Sequence, residues 1–379
     1  MTPEELLVCA ADAFLERYKA IGHVEPGSNG PHAQPETAVR NTCHWLVTLE
    51  RVHRISGDEA YVTIGAELAR YLGGTTARPY GKAFHQFDTG VDRCNGLIGP
   101  AWAFEGLSAA SRLTGDRMWS DIGEALFLEH LFDRRFAVWH SYEVDGTHLN
   151  VDNVFNHQLW FAAAAAGLQG PEAGERQQRI RTFLDNVEGN MSLHEDGLIR
   201  HHIQRVMRSP RHRLQGFLKH LRNGSLRQRM RRTASAPPSP EEKDRRRSFE
   251  VGYHAFNTYA FAMLREAIPD HPLWSSHMMI RVLEYLQSPA YREEVARSAY
   301  GYPYNPPGYE VPYSLHALSG KLPSEVVDLS LPFIQEQLVR SFDPASRMMS
   351  RNCPDPLTQS ARIYEMTRFP QYLMRMPIP

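Results

Sequence analysis

The sequence predicts an all-α protein whose helices form an (α/α)6 toroid, a closed ring of six helical hairpins. Two segments, ISGDEAYVTIGAEL (55–68) and LTGDRMWSDIGEAL (113–126), align without a gap. In each, a glycine ends one helix and the following aspartate is placed to cap the next, so the repeating unit is a helix pair. Looser copies continue this alternation to five hairpins. The first helix (4–20) and the last (360–374) lack partners, and we expect them to form the sixth hairpin and close the ring.

The composition is that of one folded protein of 379 residues, with 42% hydrophobic and 22% charged residues. We expect a single toroid domain over residues 1–379. No alternating run of β-branched residues predicts a sheet, and no stretch of 18 apolar residues predicts a transmembrane helix. The four cysteines form no CxxC pair, and the N-terminal stretch lacks the basic residues of a signal peptide. We therefore expect a cytoplasmic protein.

Residues 204–247 differ from the rest of the chain in charge, because they contain 14 Lys and Arg but only three Asp and Glu. We expect them to form a basic insertion within the toroid domain. Its end, TASAPPSPEEKDRRR (233–247), has the composition of a disordered linker. The stretch 205–232 contains an amphipathic basic helix, which could contact an anionic membrane peripherally, bind a polyanion or cover an acidic patch of its own domain. It lacks the interleaved aromatic residues of nucleic-acid-binding segments, so we expect no nucleic-acid partner.

Long and short connections alternate along the chain. In a ring of hairpins the short turns lie on one rim and the long links on the other, where functional residues are expected. Aromatic rings stack on the apolar faces of sugars, and carboxyl pairs cleave glycosidic bonds by acid/base chemistry. We therefore expect an oligosaccharide or glycan substrate. The long links, which combine carboxylates, histidines and aromatic residues, span 23–37, 77–96, 137–157, 192–202, 247–257, 296–313 and 343–365.

Two of these links carry a family resemblance. FDTGVDRCNGLIGPAWAFEGLSAASRLTGD resembles the stretch of six-hairpin glycosidases in which an aspartate loop leads into an inner helix. NVDNVFNHQLWFAAAAAGL is similar to the Asp-Asn-x-x-Asn segment of the unsaturated glucuronyl hydrolase family. The resemblance implies a glycoside hydrolase that hydrates an unsaturated uronic acid at a terminal sugar. It also implies that Asp152 is the general acid and base, and that Asp88 positions the sugar and influences the titration of Asp152.

Further side chains near these motifs are predicted to bind the substrate. The same family usually carries a Trp-x-Arg-Gly stretch on a later inner helix, whereas the matching helix here reads GYHAFNTYAF (252–261), with neither the Trp nor the Arg. The predicted substrate-binding residues are Asp92, Trp102, His140, Tyr142, Asn153, Asn156, His157, Tyr253, His254, Asn257, Tyr309 and Glu310.

Sequence motifs for other kinds of enzyme are absent or weaker than those for a glycoside hydrolase. The sequence contains no HExxH, no Cys/His ligand spacing, no GxSxG, no P-loop and no GxGxxG, so we expect neither a metal nor a cofactor. The segment HEDGLIRHH places His194, His201 and His202 near two carboxylates, which would suit a sugar epimerase on the same toroid. A third reading is a non-catalytic glycan-processing or glycan-binding protein that docks to a membrane through the basic insertion.

Overall fold

A computed structural model describes residues 1–88, 90, 92–207 and 239–378 of the chain. Most of these residues are helical. The helices are α1 (Pro3–Ile21), α2 (Val39–Ser56), α3 (Glu59–Gly73), α4 (Ile98–Thr114), α5 (Met118–Glu129), α6 (Phe155–Ala166), α7 (Ala173–Asp185), α8 (Val187–Asn190), α9 (Gln204–Met207), α10 (Pro240–Gly252), α11 (His254–Ala267), α12 (His277–Leu286), α13 (Pro289–Arg297), α14 (Pro307–Leu318), α15 (Pro323–Ser341), α16 (Pro356–Ala361) and α17 (Gln371–Met374). Short 3-10 helices span Gly30–His32, Pro272–Ser275 and Arg362–Arg368.

Six helical segments form a closed inner ring. Helices α2, α4, α6, α11 and α14 each pack on the next, and the 3-10 helix Arg362–Arg368, which continues α16, packs on both α14 and α2. Each outer helix contacts the inner helix that precedes it in the chain; these outer helices are α3, α5, α7, α12 and α15. Helix α1 contacts α2 and the 3-10 helix, so elements from opposite ends of the chain form the sixth hairpin. The prediction of an all-α (α/α)6 toroid is confirmed.

The repeated turns fold as their residues predict. Gly57 and Gly115 end α2 and α4 in the left-handed conformation, with φ of 71° and 73°. The carboxylate of Asp58 accepts a hydrogen bond from the N–H of Ala60 at 2.8 Å, and that of Asp116 accepts one from Met118 at 2.9 Å. Each turn therefore ends one helix and stabilises the start of the next.

The first two inner helices approach each other closely at Gly106. A Cβ atom on this glycine would lie 2.8 Å from the Cα and Cβ atoms of Cys43 on α2, so no larger side chain fits without moving the helices. Cys43 is fully buried in the core between the inner and outer helices. This contact sets the spacing of α2 and α4 just below the rim that carries the long links.

Two small antiparallel sheets correct the expectation that the chain has no strands. Strands β1 (Phe132–Asp133), β2 (Val138–Tyr142) and β3 (His148–Val151) form one sheet, and β4 (Phe342–Asp343) pairs with β5 (Met348–Met349). Phe132 lies opposite Trp139, His140 opposite Val151, and Phe342 opposite Met349. The strands are two to five residues long, too short for the alternation of polar and apolar residues to be visible in the sequence.

The end of the basic insertion is also more ordered than predicted. Residues 240–247, expected to be part of a disordered linker, form the first two turns of α10. Ser239 caps this helix by accepting a hydrogen bond from Glu242 N, and Arg247 contacts Asp196 and Glu294 at 2.6 and 2.9 Å. Most of the predicted basic helix within 205–232 lies outside the described residues. Among the residues that are described, no helix is both long and apolar enough to cross a membrane.

The close contact of α2 and α4 predicts the effect of one substitution. Gly106→Ala is expected to lower the free energy of unfolding by about 1–3 kcal/mol, because the added methyl group overlaps Cys43. Gly174→Ala is the matched control: no atom lies within 4 Å of its added Cβ, and alanine favours helix there by about 1 kcal/mol or less. Urea unfolding of both variants measures the difference. Equal stability of the two would contradict tight packing at Gly106.

Candidate active site

A cavity opens on the rim where the inner helices begin, which is the rim of the long links. We call it the central cavity; its volume is about 240 Å³. An open groove of about 730 Å³, the outer groove, adjoins it and shares Gln34, Asn95, Val154 and His157 with it. The central cavity is lined by Asn29, His32, Gln34, Arg40, Asn95, Ile98, Trp102, Val154, Asn156, His157, His201, Phe249, Tyr253, Phe256, Tyr304, Asn305 and Arg362.

Asp152 lies in the outer groove, between β3 and the start of α6. Its carboxylate accepts hydrogen bonds from the backbone N–H groups of Val154 and Leu97, at 3.0 and 3.1 Å, and from Nδ1 of His157 at 2.8 Å. Burial acts to raise the pKa of Asp152, but the charge of His157 and these hydrogen bonds outweigh it and hold the pKa below its ordinary value. Asp152 therefore stays ionised at neutral pH.

The loop before α4 allows the close approach of this carboxylate. Gly96 has φ of 57°, and a Cβ on it would lie 2.3 Å from Oδ2 of Asp152. Only glycine adopts this conformation without strain and leaves the space free. The backbone of Leu97, which donates to Asp152, is thereby placed against the groove.

Asp92 lies in the same groove and behaves differently. Burial, together with the negative charge of Asp152, raises the pKa of Asp92 to about 6, although a hydrogen bond from Gly96 N–H at 2.9 Å opposes the rise. Its backbone has φ of 68°, a left-handed conformation that few residues other than glycine adopt. The backbone N–H donates to Glu143 at 2.8 Å, which holds the loop in this shape. The groove thus contains one ionised carboxylate beside one that is protonated at mildly acidic pH.

A stacked Trp and Arg line the central cavity. The guanidinium carbon of Arg40 lies 4.0 Å from the centroid of the Trp102 ring, a cation–π contact between α2 and α4. Arg40 is buried, and its Nη1 forms an ion pair with Glu36 and contacts Asn29, each at 3.4 Å, while the guanidinium also lines the cavity. The guanidinium is therefore placed to bind an anionic group of a ligand.

A second buried arginine, Arg362, lines the central cavity. Arg362 donates to Glu365 at 2.6 Å, to Glu310 at 2.9 Å and to the backbone oxygen of Tyr304 at 3.1 Å. Burial raises the pKa of both carboxyls, helped by the charge of Glu365 at Glu310 and by that of Glu105 at Glu365, whose pKa is raised to about 7. Because Arg362 is satisfied by these partners, it supports the cavity wall.

A histidine and a tyrosine meet on the opposite wall of the central cavity. Nε2 of His32 lies 3.1 Å from the hydroxyl of Tyr253. Burial, and then the charges of Arg40 and His157, lower the pKa of His32, so its ring is neutral. Burial raises the pKa of Tyr253 well above its ordinary value, so the phenol is protonated. Such a pair can exchange a proton with a bound ligand.

The structure brings several of the predicted residues together. The central cavity is lined by the predicted residues Trp102, Asn156, His157 and Tyr253. The outer groove is lined by Asp92, Asp152, Asn153 and His157. Of the histidines in HEDGLIRHH, His201 lines the cavity, where burial lowers its pKa to about 3. His194 instead contacts Glu250 at 2.7 Å.

Other predicted residues lie outside these two spaces. The side chain of Asp88 is 78% exposed and lies 3.6 Å from His85, and it is not among the described residues that line either space. His254 is a core residue whose ring contacts the backbone of Val282 and Ile199. Those that lie outside both spaces are Asp88, His140, Tyr142, His254, Asn257, Tyr309 and Glu310.

Other lining residues are indicated only weakly by the sequence. The first long link contains Asn29, His32 and Gln34, and a later one contains Tyr304 and Asn305. The sequence analysis therefore identified the links that line the cavity but not these side chains. Arg40 is the second residue of α2 and lies in none of the long links, so no sequence motif indicated it as a site residue. In the described part of the chain, no cluster of three or more His, Cys, Asp or Glu is arranged to hold a metal ion.

No family model matches the chain. Over 370 residues it is 35% identical to archaeal glycosylation protein Q of Haloferax volcanii, and the alignment covers 97% of each protein. Its fold is similar to that of an unsaturated glucuronyl hydrolase specific for heparin, with a TM-score of 0.58 and 11% identity over 97% of this chain and 95% of the other. A polysaccharide lyase matches with a TM-score of 0.42 over 76% of this chain and 77% of the other. The resemblance to the six-hairpin toroid is confirmed.

The two groove carboxyls predict a titration that does not depend on any substrate. Asp92 is expected to titrate near pH 6 in the wild type, and nearer to its ordinary pKa of about 4 in Asp152→Asn, because that variant removes the neighbouring negative charge. Carboxyl ¹³C NMR over pH 3–8 measures both values. Asp88→Asn is the control and should leave the Asp92 titration unchanged. An Asp92 pKa that is equal in wild type and Asp152→Asn would show that the two carboxyls are not coupled.

Proposed function

The chain belongs to the family of archaeal glycosylation protein Q, and we propose that it is a glycan-processing enzyme that acts on a terminal sugar by carboxyl acid/base chemistry. The relative's name supports a role in glycosylation, and the glucuronyl hydrolase shows that the fold can hold a sugar-cleaving site. The preferred reaction is hydration of an unsaturated uronic acid, which releases the sugar attached to it.

The pair of Asp92 and Asp152 is the observation that carries this proposal. Two neighbouring carboxyls with pKa values shifted in opposite directions supply an acid and a base at the same pH. Asp92, protonated at mildly acidic pH, would donate its proton to C4 of the enol-ether double bond. Asp152 would accept a proton from the water whose oxygen adds to C5. The product is a hemiketal, which opens and releases the neighbouring sugar, and both carboxyls regain their starting states by exchange with solvent.

This assignment differs from the one implied by the motif. The sequence resemblance gave the first carboxyl as Asp88, which is exposed and lies outside the groove. Asp92 belongs to the same loop, four residues later, and is close enough to Asp152 for their charges to interact. We therefore place Asp92, and not Asp88, in the pair with Asp152, and we divide between them the acid and base roles that the resemblance gave to Asp152 alone.

The Arg40–Trp102 stack supports an acidic sugar as the substrate. The Trp-x-Arg-Gly stretch of the unsaturated glucuronyl hydrolase family is absent at 252–261. A Trp and an Arg nevertheless line the cavity, Arg40 from α2 and Trp102 from α4. A guanidinium binds a carboxylate through two parallel hydrogen bonds, and an indole ring stacks on the face of a sugar. The carboxylate of a uronic acid would therefore be held by Arg40.

The sizes of the two spaces support action at a chain end. The central cavity is small and walled by the ring, whereas the outer groove is larger and open to solvent. One terminal sugar would fill the cavity, and the rest of the glycan would leave through the groove past Asp92 and Asp152.

Ultraviolet absorbance of unsaturated uronyl oligosaccharides tests the reaction. The wild type is expected to remove the chromophore of at least one lyase-generated oligosaccharide in a varied panel. Asp92→Asn and Asp152→Asn should each lower kcat/KM by about 10²–10⁴-fold, since each removes a proton-transfer group. Asp88→Asn is the matched control and should stay within about threefold of the wild type. No loss of absorbance with any substrate from folded protein would reject hydration.

Epimerisation of a uronic acid is the second candidate, and the contact between His32 and Tyr253 favours it. His32, held by Tyr253, would take the C5 hydrogen as a proton beside the carboxylate held by Arg40; solvent would return a proton to the opposite face of C5, and His32 would release its proton to solvent. Deuterium uptake from D₂O at C5 of a saturated uronic acid, detected by mass spectrometry, distinguishes this reaction. Tyr253→Phe should abolish that uptake, whereas uptake that is absent in the wild type would reject the epimerase.

A further inference from the structure

We infer that His44 is a positioning residue that fixes the orientation of Arg40, and that the affinity of the site for an acidic sugar depends on it. The inference rests on the proposed function, in which Arg40 binds the carboxylate of the substrate. His44 lies on α2 one turn after Arg40 and is buried. It is not among the residues that line the cavity, so its effect on a ligand would pass through Arg40.

Three contacts join His44 to groups around the cavity. Nε of Arg40 donates a hydrogen bond to Nε2 of His44 at 3.3 Å. The imidazole stacks almost parallel on Tyr364, with ring centroids 4.2 Å apart and planes 8° apart. Its edge also meets Trp102, the ring on which Arg40 lies, at a centroid distance of 5.7 Å. One side chain therefore contacts both members of the Arg–Trp stack.

The hydrogen bond determines the tautomer of His44. An arginine side chain has only donors, so Nε2 of His44 must carry the lone pair and the ring proton must lie on Nδ1. Burial and the charges of Arg40 and Arg362 lower the pKa of His44 well below its ordinary value, which keeps the ring neutral. A protonated ring would turn a donor towards the guanidinium and lose the contact.

The bond to His44 is the contact that Arg40 makes through Nε. Its Nη1 forms a buried ion pair with Glu36 at 3.4 Å and contacts Asn29 at 3.4 Å, and the guanidinium carbon lies 5.6 Å from the centroid of the Tyr304 ring. The acceptor at His44 fixes Nε, and because the guanidinium is planar, fixing Nε also sets the directions of the remaining N–H groups. Loss of this acceptor would leave the charge and the ion pair with Glu36 in place but remove the constraint on Nε, so the guanidinium plane could tilt over Trp102.

A pair of substitutions separates the acceptor from the volume of the side chain. The side-chain oxygen of His44→Gln can take the place of Nε2, whereas His44→Leu keeps similar bulk without an acceptor. If the enzyme acts on an unsaturated uronyl substrate, His44→Leu should raise KM about tenfold or more with little change in kcat, and His44→Gln should restore KM to within about threefold of wild type. His130→Leu, at a buried histidine outside both spaces, is the control for lost stability and should leave KM unchanged.

A second measurement does not depend on the substrate. Urea unfolding of Arg40→Leu, His44→Leu and the double variant should give non-additive free energies, because the first substitution already removes the contact. The ¹⁵N–¹H signal of Arg40 Nε, assigned from Arg40→Leu, should shift in His44→Leu and stay near its wild-type position in His44→Gln.

The outcomes separate this inference from the proposed function. Additive free energies together with an unchanged Nε signal would overturn the positioning role, whatever the enzyme's activity. An equal rise of KM in His44→Leu, His44→Gln and His130→Leu would overturn it as well, since general destabilisation would then explain the effect. Non-additive free energies without turnover of any uronyl substrate would support the contact between His44 and Arg40 and count against the proposed function alone.

Discussion

The close approach of α2 and α4 at Gly106 and Cys43 is the constraint on which the candidate site depends. These helices carry Arg40 and Trp102, whose stack lies one turn closer to the rim than this contact. A wider spacing between the helices would separate the guanidinium from the indole. The packing of the ring and the chemistry of its cavity are therefore linked through Gly106, which is not among the residues that line the cavity.

The backbone supplies much of the electrostatics of the carboxyl pair. Asp152 is stabilised as an anion by two backbone N–H groups near the starts of α4 and α6, as well as by His157. Asp92 receives a single backbone N–H and faces the charge of Asp152. The two carboxyls therefore differ in pKa because His157 and two backbone N–H groups stabilise the anion of Asp152, whereas burial and the charge of Asp152 act on Asp92.

The ring was predictable because its repeat is local, whereas the site depends on distant contacts. The glycine–aspartate turns mark each hairpin, and the Asp-Asn motif located Asp152. The choice between Asp88 and Asp92 depends on a loop whose left-handed backbone at Asp92 has no sequence signature. Arg40 and Trp102 lie on different helices, so only packing brings them together. The start of α10 has the residues of an ordinary helix N-terminus, with Ser239 as the cap followed by Pro240 and two glutamates. The Pro/Ser composition of the same segment instead indicated a linker.

Closure of the ring has a consequence for the order in which the protein folds. The carboxylate of Asp355 accepts a hydrogen bond from Ser28 N–H at 2.8 Å, a contact between residues 327 positions apart, and Tyr304 bonds Asn29 at the same distance. Such contacts form only after most of the chain has been synthesised, and long-range contacts slow folding. Until then the growing chain exposes the apolar faces of an open ring, which favours aggregation. The cavity, which is lined by both Asn29 and Tyr304, therefore cannot be completed until the C-terminal part of the chain has been made.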